Sequence, residues 1–149
     1  MLIIDGDYPM AIGALMWDRD ISWPLERIRT AEPGYPKLSE TWADAYTMAS
    51  LPEMRKAEIA AALVKVVSCV KRPGHPHGEF RTQDIAYASS MGQLAYYRLL
   101  ESKKEAKILS TMKIFKSHLK LWDDAKTYDE LPVGFIIGIE GDWITNTCI

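Results

Sequence analysis

Apolar and polar positions fall in blocks along this chain, and the blocks alternately predict strands and helices. The longest block without a charge, Leu131-Pro132-Val133-Gly134-Phe135-Ile136-Ile137-Gly138-Ile139, stops at Glu140-Gly141. An apolar run opened by Pro and closed by Gly predicts a strand buried on both faces, as in a parallel sheet. Leu2-Ile3-Ile4 predicts a shorter buried strand that enters a loop at Asp5-Gly6-Asp7-Tyr8-Pro9. Ile59 to Val70 is alanine-rich and then β-branched; it predicts a strand, although the alanines also suit a helix. Ala106 to Leu109 predicts a short one. Between them, Met10 to Trp17 reads as a helical turn or packed loop, and Pro24 opens a short helix through Arg29. Ser50 with Glu53 marks the start of another short helix.

Phe80 to Lys104 is the longest helical pattern, with an apolar stripe along Ile85, Ala88, Gly92, Ala95 and Leu99 and neighbours Met91, Leu94, Tyr96 and Tyr97. Ser110 is the expected cap of a last helix through Phe115, Leu119 and Trp122. Pro and Gly punctuate two loops, Ala31 to Tyr46 and Lys71 to Gly78. The order strand, helix, strand, helix, strand, helix, strand predicts a parallel α/β architecture.

With 149 residues, 48% of them hydrophobic, the chain is long enough for one core of ordinary size. A net charge of -2 and the lack of any basic cluster speak against a nucleic-acid partner. No window approaches a membrane span and no signal peptide is visible, so a cytoplasmic globular protein is expected. The two cysteines, Cys69 and Cys148, match no metal or redox spacing and are expected as free thiols.

The acids at strand ends are the first candidates for chemistry. Asp5 and Asp7 close the first strand, and Glu140 closes the last, where α/β folds place their active rims. If those strands are parallel and neighbouring, the carboxylates converge on one rim, and their repulsion suits a divalent cation or a general base. The plainer alternative is a set of helix caps and solvated loop acids. His75 and His77, two apart in a loop, form the second candidate as paired metal ligands; such a loop also simply shows polar groups to water. His118, beside Phe115 and Leu119, reads as a helix-surface or core-edge residue. Tyr87, Tyr96, Tyr97, Trp17, Trp122 and Trp143 read as packing. No GxGxxG, P-loop, GxSxG or HExxH is present, which removes most support for nucleotide and serine-hydrolase readings.

In this order, Ile3-Ile4-Asp5-Gly6, Trp17-Asp18-Arg19-Asp20, Ser50-Leu51-Pro52-Glu53-Met54-Arg55, Met91-Gly92-Gln93-Leu94-Ala95-Tyr96-Tyr97 and Leu131 to Gly141 resemble the N-terminal part of the membrane (renal) dipeptidase family, metallopeptidases built on an amidohydrolase-type TIM barrel. The resemblance implies a parallel-sheet partial (β/α) barrel, about the first half of a TIM barrel, as a single incomplete domain over 1–149 with an insertion around 31–49. It implies metal-dependent hydrolysis of a small dipeptide-like substrate at a binuclear zinc site. Glu140 takes the bridging, catalytic position, and Asp7 stands as a metal ligand where the family has His. Where the family has the second ligand of His-x-Asp, this chain has Pro9, which offers none. Asp142 and Trp143 also replace the family's usual continuation after Glu-Gly. Later strands and their ligands are missing, since such a barrel takes about 250 residues. The chain therefore reads as an N-terminal fragment with little or no activity, or as a non-catalytic ligand-binding or assembly protein of the same fold. A half-barrel also leaves open sheet edges, which a second copy would cover in a homo-oligomer.

Overall fold

The computed structural model describes residues 1–32, 47–70 and 79–140. Most of the two expected loops, with His75 and His77, lies outside the described residues, as do Gly141, Asp142, Trp143 and the tail to Ile149. The elements are β1 (Ile3–Tyr8), α1 (Met10–Trp17), α2 (Leu25–Ala31), α3 (Leu51–Lys56), β2 (Ile59–Val67), β3 (Cys69–Val70), β4 (Glu79–Phe80), α4 (Gln83–Ser102), β5 (Ala106–Ile108), α5 (Met112–Asp123) and β6 (Val133–Glu140). Among the described residues no helix is long and apolar enough to cross a membrane.

Four of the strands form an open, all-parallel sheet in the order β1-β2-β6-β5, and β3 pairs with β4 separately. The α/β alternation expected from the sequence is present. β1 and β6 are not neighbours, however; β2 lies between them. The two central strands pair in unbroken register from Ala61↔Gly134 to Val67↔Glu140. β5 pairs only with Val133, Gly134 and Phe135 at the start of β6.

Strand alternation gives the sheet two unlike faces. Ala60, Ala62, Val64 and Val66 of β2, with Val133 and Phe135 of β6, are buried with Met10 and Ala11 of α1, Leu51 and Met54 of α3, and Tyr97 and Leu100 of α4. Tyr97 meets Phe135 edge-on at 5.4 Å, the arrangement that the aromatic quadrupole favours. The opposite face carries Leu63, Lys65, Ile136, Gly138 and Glu140 and is more open. The chain advances across the sheet from β1 to β2 to β5, then steps back to β6. Right-handed crossovers accordingly put α5 on the other face from α1 and α4. At that face a Cβ on Gly134 would lie 2.6 Å from Leu109 Cδ1 and 2.8 Å from His118 Nε2. Glycine is required there by close approach.

The buried side of α4 is Ala86, Ser90, Gln93, Tyr97 and Leu100. Ile85, Ala88, Ala95 and Leu99, expected on the apolar stripe, are exposed. The reason is a hydrogen-bond demand of β2. Its pairing with β1 ends at Tyr8↔Val64, so the β1-side backbone groups of Lys65 and Val67 have no strand to meet. Tyr97 Oη donates to the Lys65 carbonyl at 2.7 Å and accepts from the Ala11 N–H at 3.2 Å. Gln93 Nε2 donates to the Val67 carbonyl at 2.7 Å, while its Oε1 accepts from the Val67 N–H at 2.9 Å. Two side chains of α4 thus complete the edge that β1 leaves unfinished, and leaving such groups unpaired is costly.

The N-terminal end of the sheet is tied by Arg55, which is buried. Its Nε donates to the Leu131 carbonyl at 2.7 Å, and its Nη2 to the Glu105 carbonyl at 3.0 Å and carboxylate at 2.7 Å. Trp122 Nε1 donates to the Pro132 carbonyl at 2.9 Å, and its ring stacks on Tyr128 at 5.1 Å. Helix starts follow ordinary capping chemistry, with Thr82 accepting from Ile85 N–H and Thr111 from Ile114 N–H. Thr111, rather than the expected Ser110, is the cap of α5. Ser50 holds the N-cap position of α3 without a side-chain capping bond.

Replacing Gly134 with Ala should cost about 1–3 kcal/mol, the usual penalty for overpacking a filled site, read as a lower denaturation midpoint at unchanged m-value. Gln93→Leu should cost about 2 kcal/mol or more, because both Val67 backbone groups lose their partner. Urea unfolding measures it, and a cost near zero would contradict the role given to Gln93.

Candidate functional site

The C-terminal ends of three adjacent parallel strands meet at one rim, and each carries a charge: Asp7 on β1, Lys65 on β2 and Glu140 on β6. Lys65 is the single charge in β2, whose sequence is otherwise Ile-Ala-Ala-Ala-Leu-Val before it and Val-Val after it. An ammonium in such a strand keeps its stem against apolar surface and must find anionic partners at its tip. It finds two. Lys65 Nζ lies 2.7 Å from Glu140 Oε2 and makes an ion pair with Asp7 Oδ1. The Lys65 side chain is 22% exposed, against 66% for Asp7 and 53% for Glu140. The hydrogen bonds that Lys65 donates to Asp7 and then to Glu140 raise its pKa above the ordinary value, so the ammonium is the form present at neutral pH.

Asp7 reaches Lys65 because β1 does not stay regular. Its pairing with β2 shifts between Asp5 and Tyr8, and Asp7 itself stands at φ 79. This is the left-handed region, which Asp tolerates better than bulkier residues do. The irregularity also separates the two acids expected to act together. Asp5 turns to its own neighbours: it accepts from Gly6 N–H at 2.7 Å and from Tyr8 Oη at 2.7 Å. Those bonds, the tyrosine's first, hold the Asp5 carboxyl below its usual range. The Tyr8 hydroxyl is pushed up to about 12, by burial first and then by Asp5. Pro9 occupies the N-cap position of α1.

The rim therefore joins Asp7 to Glu140, as the sequence suggests, but through Lys65, which sequence reasoning passed over. The signal was available: one lysine inside a nine-residue apolar strand. Among the described residues, the rim offers fewer ligands than a binuclear zinc centre takes. Catalytic zinc takes three protein ligands per ion, whereas Asp7 and Glu140 share one ammonium and Pro9 has no donor. Among the described residues no group of three or more His, Cys, Asp or Glu side chains is placed to hold a metal ion.

His118 belongs elsewhere, at the N-terminal end of the sheet. It is buried, its Nε2 is 2.8 Å from the Ala60 carbonyl, and its ring lies against Trp122. Neutral imidazole satisfies this site by donating from Nε2. Burial pushes the His118 pKa down, and Lys107 adds to this, against the opposing effect of the Ala60 bond. A separate small cavity of about 50 Å³ lies by Trp17, Arg19, Trp23 and Glu32. Arg19 pairs there with Glu32 at 2.8 Å, and its guanidinium sits over the Trp17 ring.

Comparison with known proteins gives no match to this chain among family models, curated proteins or solved structures.

Because the native pKa of His118 is depressed, its contribution to stability is complete above the unfolded value of about 6.5 and is lost as pH falls through the native value. Relative to His118→Gln, the parent chain should lose stability below about pH 6.5, by at most about 1.4 kcal/mol per pH unit. Denaturation midpoints for both chains between pH 5 and 8 check this; parallel curves would refute it.

Proposed function

We propose that the chain is a dipeptidase-like part of a (β/α) barrel, about its first half, that works as a non-catalytic binding protein for small dipeptide-like molecules. One observation carries this reading: the Lys65 ammonium lies between the two carboxylates that the dipeptidase resemblance assigns to metal. The reading is also supported by an open parallel sheet with Glu140 at the C-terminal end of a central strand, the end where α/β folds bind their ligands. A rim that offers one ammonium beside two carboxylates presents both signs of charge. A zwitterionic ligand, with an amine and a carboxylate of its own, is the complement of such a rim.

The second reading is a zinc-dependent dipeptidase-like hydrolase, to which this chain contributes Glu140 and Asp7. It is favoured by the convergence of those two acids on a single rim. A homo-oligomer is compatible with either reading, since β1 and β5 are the sheet edges among the described residues.

Dipeptide hydrolysis with added zinc, together with metal analysis of the purified chain, separates the two. The binding-protein reading expects no turnover and no stoichiometric metal, with weak saturable binding of dipeptides by calorimetry. Robust turnover, or two tightly held metal ions per chain, would establish the hydrolase in its place.

A further inference from the structure

We propose that Lys65 is the resident cation of the rim, neutralising Asp7 and Glu140 and locking the ends of β1 and β6 together across β2, so that Lys65 keeps a divalent ion out. The inference rests on the non-catalytic reading above and deepens it by naming the residue that makes the rim independent of metal.

Three independent features of the geometry point this way. β1 and β6 are not hydrogen-bonded to one another, so only a side chain that spans β2 can join their ends. Lys65 starts from β2 itself, two residues below the Val67↔Glu140 pair, and its tip meets an acid from each flanking strand. Its main chain is fixed by the hydroxyl of the buried Tyr97 on the Lys65 carbonyl at 2.7 Å, which anchors the base of the side chain. Finally, Asp7 is delivered at φ 79, a backbone conformation that costs free energy unless the surroundings hold it. The ion pair with Lys65 is a contact that holds it.

A dication entering between the same carboxylates would sit within a few ångströms of the ammonium, and like charges at that range repel. Removing the ammonium reverses the situation. Two carboxylates at one place then repel each other, and a hard cation with oxygen preference relieves them.

The test uses the full chain with Mn²⁺ as the probe. Lys65→Met keeps the apolar stem and removes the charge. It should melt a few degrees below the parent, and millimolar Mn²⁺ should return most of that loss by binding the folded state. Bound Mn²⁺ should also appear by electron paramagnetic resonance in Lys65→Met and not in the parent. Lys65→Arg, which keeps the cation, should melt like the parent and ignore Mn²⁺. If Lys65→Met does not fold, Lys65→Met with Glu140→Gln removes the repulsion and should fold without metal; failure of that double variant as well overturns the proposal. A Lys65→Met chain that melts like the parent and takes no Mn²⁺ overturns it too, while leaving the binding-protein reading intact. Tight stoichiometric metal in the parent sinks both.

Discussion

The backbone of β2 is the constraint on which the rest of the fold depends. It is a nine-residue strand with a neighbour on each side, and most of its side chains are buried. Its N–H and C=O groups have left water and must all be paired. β6 meets this need on one side through an unbroken register. β1 meets it only as far as Val64. The deficit is supplied by α4, and that decides which way the helix turns: Gln93 and Tyr97 face inward, and Ile85 and Leu99 are left in solvent. The orientation of α4 then fixes the aromatic contact with Phe135 and the Tyr97 bond to α1. A helix whose hydrophobic pattern is weak is held by polar bonds to the strand beneath it.

This explains what was legible in the sequence and what was not. The central strand β6 was plain as a strand from its uninterrupted apolar run, but the burial on both faces expected of it holds only for Val133, Gly134 and Phe135, and Ile139 is 60% exposed. The alternation of strands and helices followed from Gly, Pro and capping residues. The inward face of α4 was misread because Ser90 and Gln93 are polar, and a hydrophobicity pattern does not register hydrogen-bonding demand in a different element. β1 was read as ending in a loop after Ile4, yet it pairs on to Tyr8 through a shifted register; its charges and glycine hide an irregular strand. At the rim, Asp7 and Glu140 were visible as strand-end acids, and the structure brings them together. Asp5 looked equivalent to Asp7 by spacing, and a single left-handed residue made them different. Lys65 was legible only as an exception to its surroundings.

The rim and the opposite end of the sheet are built on the same principle. Lys65 collects a carboxylate from each flanking strand at the C-terminal end. Arg55 collects the Leu131 and Glu105 carbonyls ahead of β6 and β5, with the Glu105 carboxylate, at the N-terminal end. A guanidinium suits the second task because its planar donors reach several acceptors at once, whereas a flexible ammonium suits the first. Each cation joins strands that are far apart in sequence, and each does so at an end of the sheet where ladder hydrogen bonds run out.

The position of β6 carries a consequence for how the molecule comes into being. It is the last described strand in the chain, yet it lies in the middle of the sheet, between β2 and β5. During synthesis, which proceeds from the N-terminus, the ribosome releases β1, β2, α4 and β5 before the strand that unites them. Until then the two halves of the sheet have no common partner, and the apolar side chains of β2 face an empty slot. Contacts of such long sequence separation form slowly, so the nascent chain passes through an interval in which its most hydrophobic strand is uncovered. The lone charge of Lys65, inside that strand, is also a charge that discourages premature pairing with other chains.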